Sequence, residues 1–574
     1  MKKRNWFVQA AGCAAVAFVF LLPLFRLALM SVTQNAGYGF GNYLELFREP
    51  RTLRAIGNTV AISVASTALS AVFGVLLAFL VAYLNIKRKR LLELLALVPF
   101  ILPSYVVTIS WTSLLEQNGG ANRLLQLLHL PAISLYSLGG IIFVLGLCNV
   151  PLVYLTTVDT LRKIPRELEW AARASGCGRW ETLWRIDLVQ ARPAIAGGCV
   201  LAFLACVDNF AVPAFLGIPA SIPVLSTYIY EKAIGFGPDS FSLAAALSVL
   251  LSVVAVSGSA AMSVFARKTK RSESIRPDFS ARIVLGRGAR RAVEWTSLAV
   301  FAVLDLVPLV TMTAASFQDL YGRRFSAANL TLRNYEFVFT SDGVIRAIGN
   351  SLFLALITCA VCIVVGTAAA YGKSHGGGAH IRLLESCASL TYAIPGIVLA
   401  LAMIFHWSMI PGIYGSLRIL VVAYITRYLI VQIKGSSAAM LSVHPALEEA
   451  ARVSGSGKAR MWQRILIPLL FRQTISSSLL IFVSSLTEMT LSSILAAAGT
   501  KTIGLTIFDF QQSGDYNLAY AFSVVIVILI LCGYGLVQRV GGAGRKKGDA
   551  AQRSPGEAGS YRSETLKKME ETAS

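Results

Sequence analysis

The nine residues from Leu168 to Gly176, LEWAARASG, return as LEEAARVSG from Leu447 to Gly455, with seven of the nine positions identical. Nine and ten positions past each glycine the pair Arg-Ile also recurs, at Arg185-Ile186 and Arg464-Ile465. A chain with this repeat is a duplication, so whatever plan the first half follows the second follows too. The correspondence is long. Asn42-Tyr43 matches Asn334-Tyr335, Gly57-Asn58 matches Gly349-Asn350, RLLE at 90–93 matches RLLE at 382–385, and Pro103 matches Pro395, all at an offset of 292. LLPLFRLALMS, ending at Ser31, likewise aligns with LVPLVTMTAAS, ending at Ser316. The nine-residue motif recurs at an offset of 279, so the second copy lacks a net 13 residues near the third-to-fourth-span connection, where the first carries a longer loop around Asn118–Pro131.

The medium of the fold follows from composition: 55% hydrophobic residues, 14% charged and a mean hydropathy of +0.64 describe surface that needs lipid. Apolar runs of about 20 residues, enough to cross roughly 30 Å of hydrocarbon, predict spans near 7–25, 59–84, 91–113, 138–160, 194–216 and 242–265. Six more fall near 294–316, 351–372, 384–407, 417–434, 474–497 and 518–538. The fold class is an all-α integral membrane protein of about 12 transmembrane helices in two six-helix repeats. Matched motifs fall on the same side in both copies, so the repeats are parallel rather than inverted.

The net charge of +22 is distributed as a membrane topology requires. With Lys2-Lys3-Arg4 in the cytoplasm, the tail, the even-numbered connections and the C-terminus hold 39 Lys and Arg against 12 in the opposite loops. That asymmetry is the positive-inside pattern. It places both termini of a multi-pass membrane protein in the cytoplasm. The basic clusters are not interleaved with stacking aromatics, which argues against nucleic acid as a partner. The first span is too long and lacks a clear cleavage signature for a signal peptide.

The repeated motif has a readable mechanism. Pro165-Arg166-Glu167-Leu168-Glu169 opens a short amphipathic helix, which Gly176 stops in a left-handed conformation that a β-carbon disfavours. Gly455 does the same in the second copy. A second short helix, near Arg179–Ile186 and Lys458–Ile465, leads into the next span and produces an elbow on the cytoplasmic face. A merely solvated loop would not need the same apolar, small and glycine pattern twice.

E-A-A-x-x-x-G on a cytoplasmic loop, followed by I-x-[LI], resembles the coupling motif of binding-protein-dependent ABC importer permeases. Glu449-Ala450-Ala451 through Gly455 and on to Ile465-Leu466-Ile467-Pro468 fits it well. The first copy departs: Trp170 stands where the family places its glutamate and Val189 where it places proline, with Glu169 one residue earlier. The resemblance covers nearly the whole chain and is to fused pairs of ABC type I permease repeats of the kind seen in iron(III) and thiamine importers.

The resemblance implies a division of the chain. Residues 1–266 form the first permease domain, with its elbow near 165–190, and 267–292 a basic cytoplasmic linker. Residues 293–541 form the second, with its elbow near 444–468, and 542–574 a disordered cytoplasmic tail. Glu169, Ala171, Ala172 and Gly176, with Glu449, Ala450, Ala451 and Gly455, are the implied contacts to the ATPase. The implied partners are two copies of a cytoplasmic ABC ATPase, which bind ATP-Mg, an extracytoplasmic solute-binding protein and the lipid bilayer. The chain itself holds no cofactor or metal and is not an enzyme. Gly455-Ser456-Gly457-Lys458 is not a P-loop, since Ala459 follows it and the upstream glycine is missing.

An ion-coupled secondary transporter is the alternative from another class, and its signature is a relay of ionisable residues within the spans. Asp208, Asp305, Arg427 and Glu488 are the sparse candidates. Asp208, Asn209 and Glu488 read as pathway residues, Asp208 and Glu488 nearly corresponding in the repeat, whereas Arg427 reads as a packing or interfacial anchor near the inner face. Neither that class nor a passive channel, which needs a filter or a ring of charges, explains two matched elbows. The five histidines lack nucleophile partners, and Cys359-Ala-Val-Cys362 lies in an apolar span without a second ligand pair. Among solutes, DNFAVPAFLG with PVLSTYIYE, and TEMTLSSIL with TIGLTIFDF, most resemble the iron(III)-type fused permeases, a resemblance that implies iron(III) ahead of thiamine, 2-aminoethylphosphonate and a phosphosugar, whose importers share the pattern.

Overall fold

The computed structural model describes residues 2–34, 37–235, 237, 239–265, 277–323 and 326–552. The first repeat comprises α1 (Gln9–Ser31), α2 (Pro50–Tyr83), α3 (Lys89–Ile101), α4 (Ser104–Leu114), α5 (Leu138–Lys163), α6 (Arg166–Ala174), α7 (Leu188–Asp208), α8 (Ala211–Leu216) and α9 (Ser240–Phe265). The second comprises α10 (Arg287–Ala315), α11 (Asp342–Ser374), α12 (Ala379–Ala393), α13 (Gly396–Trp407), α14 (Leu417–Leu441), α15 (Pro445–Val453), α16 (Ile467–Leu486), α17 (Thr490–Leu495) and α18 (Tyr516–Gln552). Each helix of the first series has its counterpart nine places on in the second.

Among the described residues, 8 helices are long and apolar enough to cross a membrane, or up to 11 spans when each bent helix pair counts once. The remaining expected span, 417–434, is the 25-residue α14, which carries Arg418, Arg427 and Lys434. Two expected spans are broken by more than 100° at a proline, and a third bent pair, Lys458–Phe471 with Gln473–Leu486, turns by 62° on the way into and along α16. Residues 91–113 form α3 and α4, which meet at 104°, and 384–407 form α12 and α13, which meet at 118°. The breaks fall at Pro103 and Pro395, which cannot donate the helical hydrogen bond and push the preceding residue out of the helical region. Leu102 and Ile394 are accordingly extended, with ψ of 145° and 137°.

The duplication holds at the level of single hydrogen bonds. Asn42 Nδ2 donates to the carbonyls of Ser31 and Thr33 at 3.0 and 2.9 Å, and Asn334 Nδ2 to those of Ser316 and Gln318 at 2.9 and 2.8 Å. The hydroxyls of Tyr43 and Tyr335 each meet the serine of that pair. Thr59 Oγ1 accepts from the Leu225 amide and Ser351 Oγ from that of Ile503, both at 2.9 Å. Ser137 and Ser416 both cap the following helix, α5 and α14, through their hydroxyls.

Within each repeat the packing is the same: α2 lies along α5, with α7 against both, and α11 lies along α14, with α16 against both. The first helices are exchanged. Helix α1 packs on α12 and α13 of the second repeat, while α10 packs on α3 and α4 of the first. The chain is therefore two interlocked halves rather than two beads.

Two expected boundaries shift. Helix α10 begins at Arg287, so the cluster Arg287–Arg291 is its first turn and not linker. Helical backbone continues past Gly541 to Gln552, where a disordered tail was expected. Residue 266 at the end of the first domain, 267–276 of the linker and 553–574 of the tail lie outside the described residues.

Candidate functional site

Both elbows lie at the ends of α5 and α14 and are closed by one backbone device. The amides of Gly176 and Cys177 donate to the carbonyls of Arg173 and Ala172, each at 3.0 Å, and those of Gly455 and Ser456 donate to Arg452 and Ala451 at 3.0 and 2.9 Å. This is the paired 5→2 and 6→1 bonding of a Schellman stop. Gly176 has φ +91° and Gly455 φ +74°, and a β-carbon on either would meet nothing within 4 Å. Conformation rather than space demands the glycines. A π-helical turn follows in each copy, Leu183–Asp187 and Trp462–Leu466, before α7 and α16 begin. Sequence reading did not anticipate these turns, although their positions match at the motif's own offset.

The elbow residues divide between two faces. Ala171, Gly176, Glu449, Ala450 and Gly455 are exposed, Ala172 is half-buried and Ala451 is buried. Glu169, expected as the outward stand-in for the missing motif glutamate, is only 5% exposed and points inward. It aligns with Glu448, not Glu449, and both of these carboxylates are held by their own chain. Arg282 Nη1 donates to Glu169 Oε1, whereas His375 Nε2 lies 2.9 Å and Arg452 Nη2 3.6 Å from Glu448 Oε2. A helix of 3.6 residues per turn sends adjacent side chains to different faces, so a one-residue displacement exchanges docking surface for anchor. The outward position in the first elbow belongs to Trp170, 58% exposed, and Trp180 and Trp184 are exposed beside it.

The far ends of α7 and α16 meet the broken helices in a polar cluster between the repeats. The break before α13 frees the Ile394 carbonyl and the Gly396 amide, and both find partners. Arg427 Nη1 donates to the Ile394 carbonyl at 2.6 Å, and the Gly396 amide donates to Asp208 Oδ1 at 2.6 Å. Arg427 Nη2 closes the set on Asp208 Oδ2 at 2.5 Å. Asp208 thus sits at the N-terminus of α13, where amides and helix dipole favour an anion. The Arg427 side chain is 9% exposed and that of Asp208 38%. Arg427 is therefore a link across the repeats, not an interfacial anchor: a guanidinium this deep in an apolar helix needs the carboxylate and carbonyl it finds here.

The residue that corresponds to Glu488 is Asn209 rather than Asp208. Asn209 Oδ1 accepts from the Val212 amide at 2.9 Å and Glu488 Oε1 from that of Leu491 at 3.0 Å, so both cap the short helices α8 and α17. Asn209 also donates to Ser104 Oγ, the first residue of α4, at 3.0 Å, while Glu488 accepts from the Tyr428 hydroxyl. Two carboxylates and one guanidinium in one cluster leave a net negative charge when all are ionised. Asp305, the remaining acidic candidate named from the sequence, lies in α10 with both carboxyl oxygens buried and without a hydrogen-bond partner.

Paired elbows joined by single helices to a cluster at broken spans define a membrane permease built from two like halves. Residues 70–271 and 362–541 match the family described as the binding-protein-dependent transport system inner membrane component, and the chain belongs to that family. The chain is similar to the ferric transport system permease protein FbpB of Actinobacillus pleuropneumoniae, 23% identical over 503 residues that cover 83% of this chain and 70% of the relative. The Fe(3+)-transport system permease protein FbpB 2 of Haemophilus influenzae is 20% identical over 515 residues, 88% of this chain and 94% of the relative. The sulfate transport system permease protein CysT of Escherichia coli is 27% identical over 246 residues, 42% of this chain and 87% of the relative. Among solved structures, a bacterial ABC transporter involved in the import of the acidic polysaccharide alginate aligns over 47% of this chain and 98% of its own, at 20% identity and a TM-score of 0.40.

Proposed function

We propose that this permease carries iron(III) into the cell across the bacterial inner membrane, driven by a separate ATPase that docks two copies on the two elbows. The observation that carries the coupling is connectivity: α7 and α16 each begin just past an elbow and end at the polar cluster, at Asp208 and Leu486. The 21-residue α7 spans about 31 Å, and α16, though bent by 62° along its path, is likewise continuous helical backbone, so a push on an elbow arrives at the cluster without passing through a loop. The elbow face is cytoplasmic on this reading, as the Lys and Arg asymmetry requires, and a solute-binding protein delivers cargo to the opposite face.

In this mechanism the Asp208–Arg427 link ties the repeats together across the pathway. ATP binding draws the two ATPases together, moves α6 and α15 toward each other, and rotates α7 and α16 against the broken helices. Shifting such an equilibrium from 1:99 to 99:1 takes about 5.5 kcal/mol of differential binding. Catalysis stays with the ATPase, which holds ATP-Mg; this chain supplies the hinge and the pathway.

The choice of iron(III) rests on the two ferric permease relatives, which align with more than four fifths of the chain. The sulfate permease aligns with 42% of it. A cluster that is net negative when all its groups are ionised also suits a cationic solute. Uptake by vesicles carrying the chain with its ATPase and receptor tests both parts, comparing iron(III), thiamine, 2-aminoethylphosphonate and sulfate with and without ATP on the elbow face. ATP-dependent accumulation of iron(III) alone is the expected result. Preference for another solute removes the iron assignment, and uptake driven only by an ion gradient removes the coupling.

A further inference from the structure

The two elbows are anchored differently, and the difference lies in the end of the inter-repeat linker. Residues 277–286 do not hang free but lie across the first repeat. The Asp278 amide donates to the Arg162 carbonyl at 2.7 Å, and the amides of Arg282 and Ile283 donate to that of Tyr83 at 2.9 and 3.0 Å. Leu285 and Asn85 exchange two hydrogen bonds, at 3.0 and 3.2 Å. Arg166, the first residue of elbow helix α6, donates through Nε to Asp278 Oδ2 at 2.6 Å.

Arg282 is the centre of this strap, its side chain only 2% exposed. Its Nη2 donates to the carbonyls of Leu161 and Ile164 at 3.2 and 2.6 Å, the last turn of α5, where a helix leaves carbonyls without partners. Its Nη1 donates to the Tyr83 hydroxyl at 3.1 Å and to Glu169, and the guanidinium lies over the Tyr83 ring, 4.8 Å from its centre. One side chain thus joins the ends of α2 and α5 to the elbow helix. The counterpart of Glu169, Glu448, is held instead by His375 and Arg452, both of the second repeat.

Just past the strap, at Arg287, α10 begins. Its Glu294 lies 3.8 Å from Arg88, and the helix packs along α3 and α4. Ser104, which opens α4, accepts from Asn209 in the polar cluster. We propose that residues 277–286 act as a strut that fastens the first elbow to the first span of the second repeat, with Arg282 as the positioning residue that passes the ATPase's push into α10 as well as α7. The strut rests on the ATPase-docking reading above and is specific to the first elbow.

The test uses the full chain reconstituted with its ATPase and receptor, reading solute taken up per ATP hydrolysed alongside co-purification of the ATPase. A Gly-Gly-Ser insertion directly after Gly286 leaves every Arg282 contact available but uncouples the strap from α10. Arg282→Gln removes the fork, and Arg282→Lys keeps the charge. With the ATPase still bound, the insertion and Arg282→Gln lower uptake per ATP by at least about fivefold, the lower end of ordinary coupling between sites, and Arg282→Lys restores part of it. If the insertion leaves uptake per ATP unchanged, the strut is wrong, whatever Arg282→Gln does. Loss of ATPase co-purification with the insertion also overturns it, because the strap then only builds the docking face. Glu449→Ala in the second elbow is the control: should it too leave ATP-driven uptake intact, the docking reading itself fails and the strut falls with it.

Discussion

Asp208 of the first repeat and Arg427 of the second meet at 2.5 Å across the line where the two halves join, beside the helix break at Pro395. Each satisfies a backbone group that the proline set free. The pair is therefore structural mortar and a cross-repeat contact at once. Removing one partner of a buried ion pair costs about 3–5 kcal/mol, and the partial exposure of Asp208 puts this pair at the lower end. Arg427→Leu should lower thermal stability in detergent more than the double variant Arg427→Leu with Asp208→Leu. Equal losses would show that the two side chains do not depend on each other.

Gly176 and Gly455 hold left-handed backbone with open space around them. The β-carbon of valine at either position meets nothing within 4 Å, but the residue must adopt a conformation that costs roughly 1–2 kcal/mol, so the elbow reshapes instead of the membrane domain. Gly455→Val and Gly176→Val should insert normally and lose most ATP-dependent uptake. Unimpaired uptake by both would remove the elbows from the mechanism.

Position matters more than charge among the elbow glutamates. Glu449→Ala removes an exposed group and should weaken ATPase binding in a salt-sensitive way, with little effect on the melting of the permease alone. Glu169→Gln should do the reverse, lowering the melting temperature because Arg282 loses its anion. Trp170→Ala should weaken ATPase binding without salt sensitivity. Co-purification at two ionic strengths and thermal melting separate the three.

Asp278 supplies a pH test. Partial burial alone would raise its carboxyl, but hydrogen bonds from Ser280 and from Arg166, with the charge of Arg166, outweigh it and bring the carboxyl down to about 2. A folded value below the unfolded one means that its stabilisation is complete above about pH 4 and is lost as pH falls toward 2. Asp278→Asn should therefore melt below the parent at pH 7, with the gap narrowing below pH 4. A gap that stays constant to pH 3 would mean that the ion pair to Arg166 contributes nothing.

The exchange of first helices can be caught chemically. A β-carbon on Gly12 of α1 would lie 3.0 Å from Cβ of His380 in α12, near the 3.5–4.5 Å of disulfides. In a background without the native cysteines, Gly12→Cys with His380→Cys should cross-link on mild oxidation. Failure to cross-link would refute the packing of α1 on the second repeat.

Much of this was legible in the sequence, because duplication and hydropathy each write long signals. The matched Asn42 and Asn334, and Pro103 and Pro395, were visible as letters before their bonds and bends were known. Hydropathy alone ran straight through both prolines, since a window average carries no direction. Span edges moved for a related reason: α2 starts at Pro50, earlier than its apolar run, and takes in Arg51 and Arg54. Arg427 was misplaced because depth along one helix says nothing about which neighbour it faces, and its partner is 219 residues away. Glu169 was misread by a single position, and only the three-dimensional turn of the helix distinguishes an anchor from a contact. The strap around Arg282 gave no signal, for a basic linker reads alike whether it is docked or free.

The crossing of α1 and α10 into each other's halves has a consequence for how the protein is made. As the chain is inserted from its N-terminus, α1 can pack on α9 of its own half, but the rest of its seat does not exist until α12 and α13 have followed. Helices α3 and α4 in turn lie uncovered until α10 arrives. A product that stops at the linker is thus neither a working half nor a finished one. Though duplicated in ancestry, the molecule is indivisible in assembly.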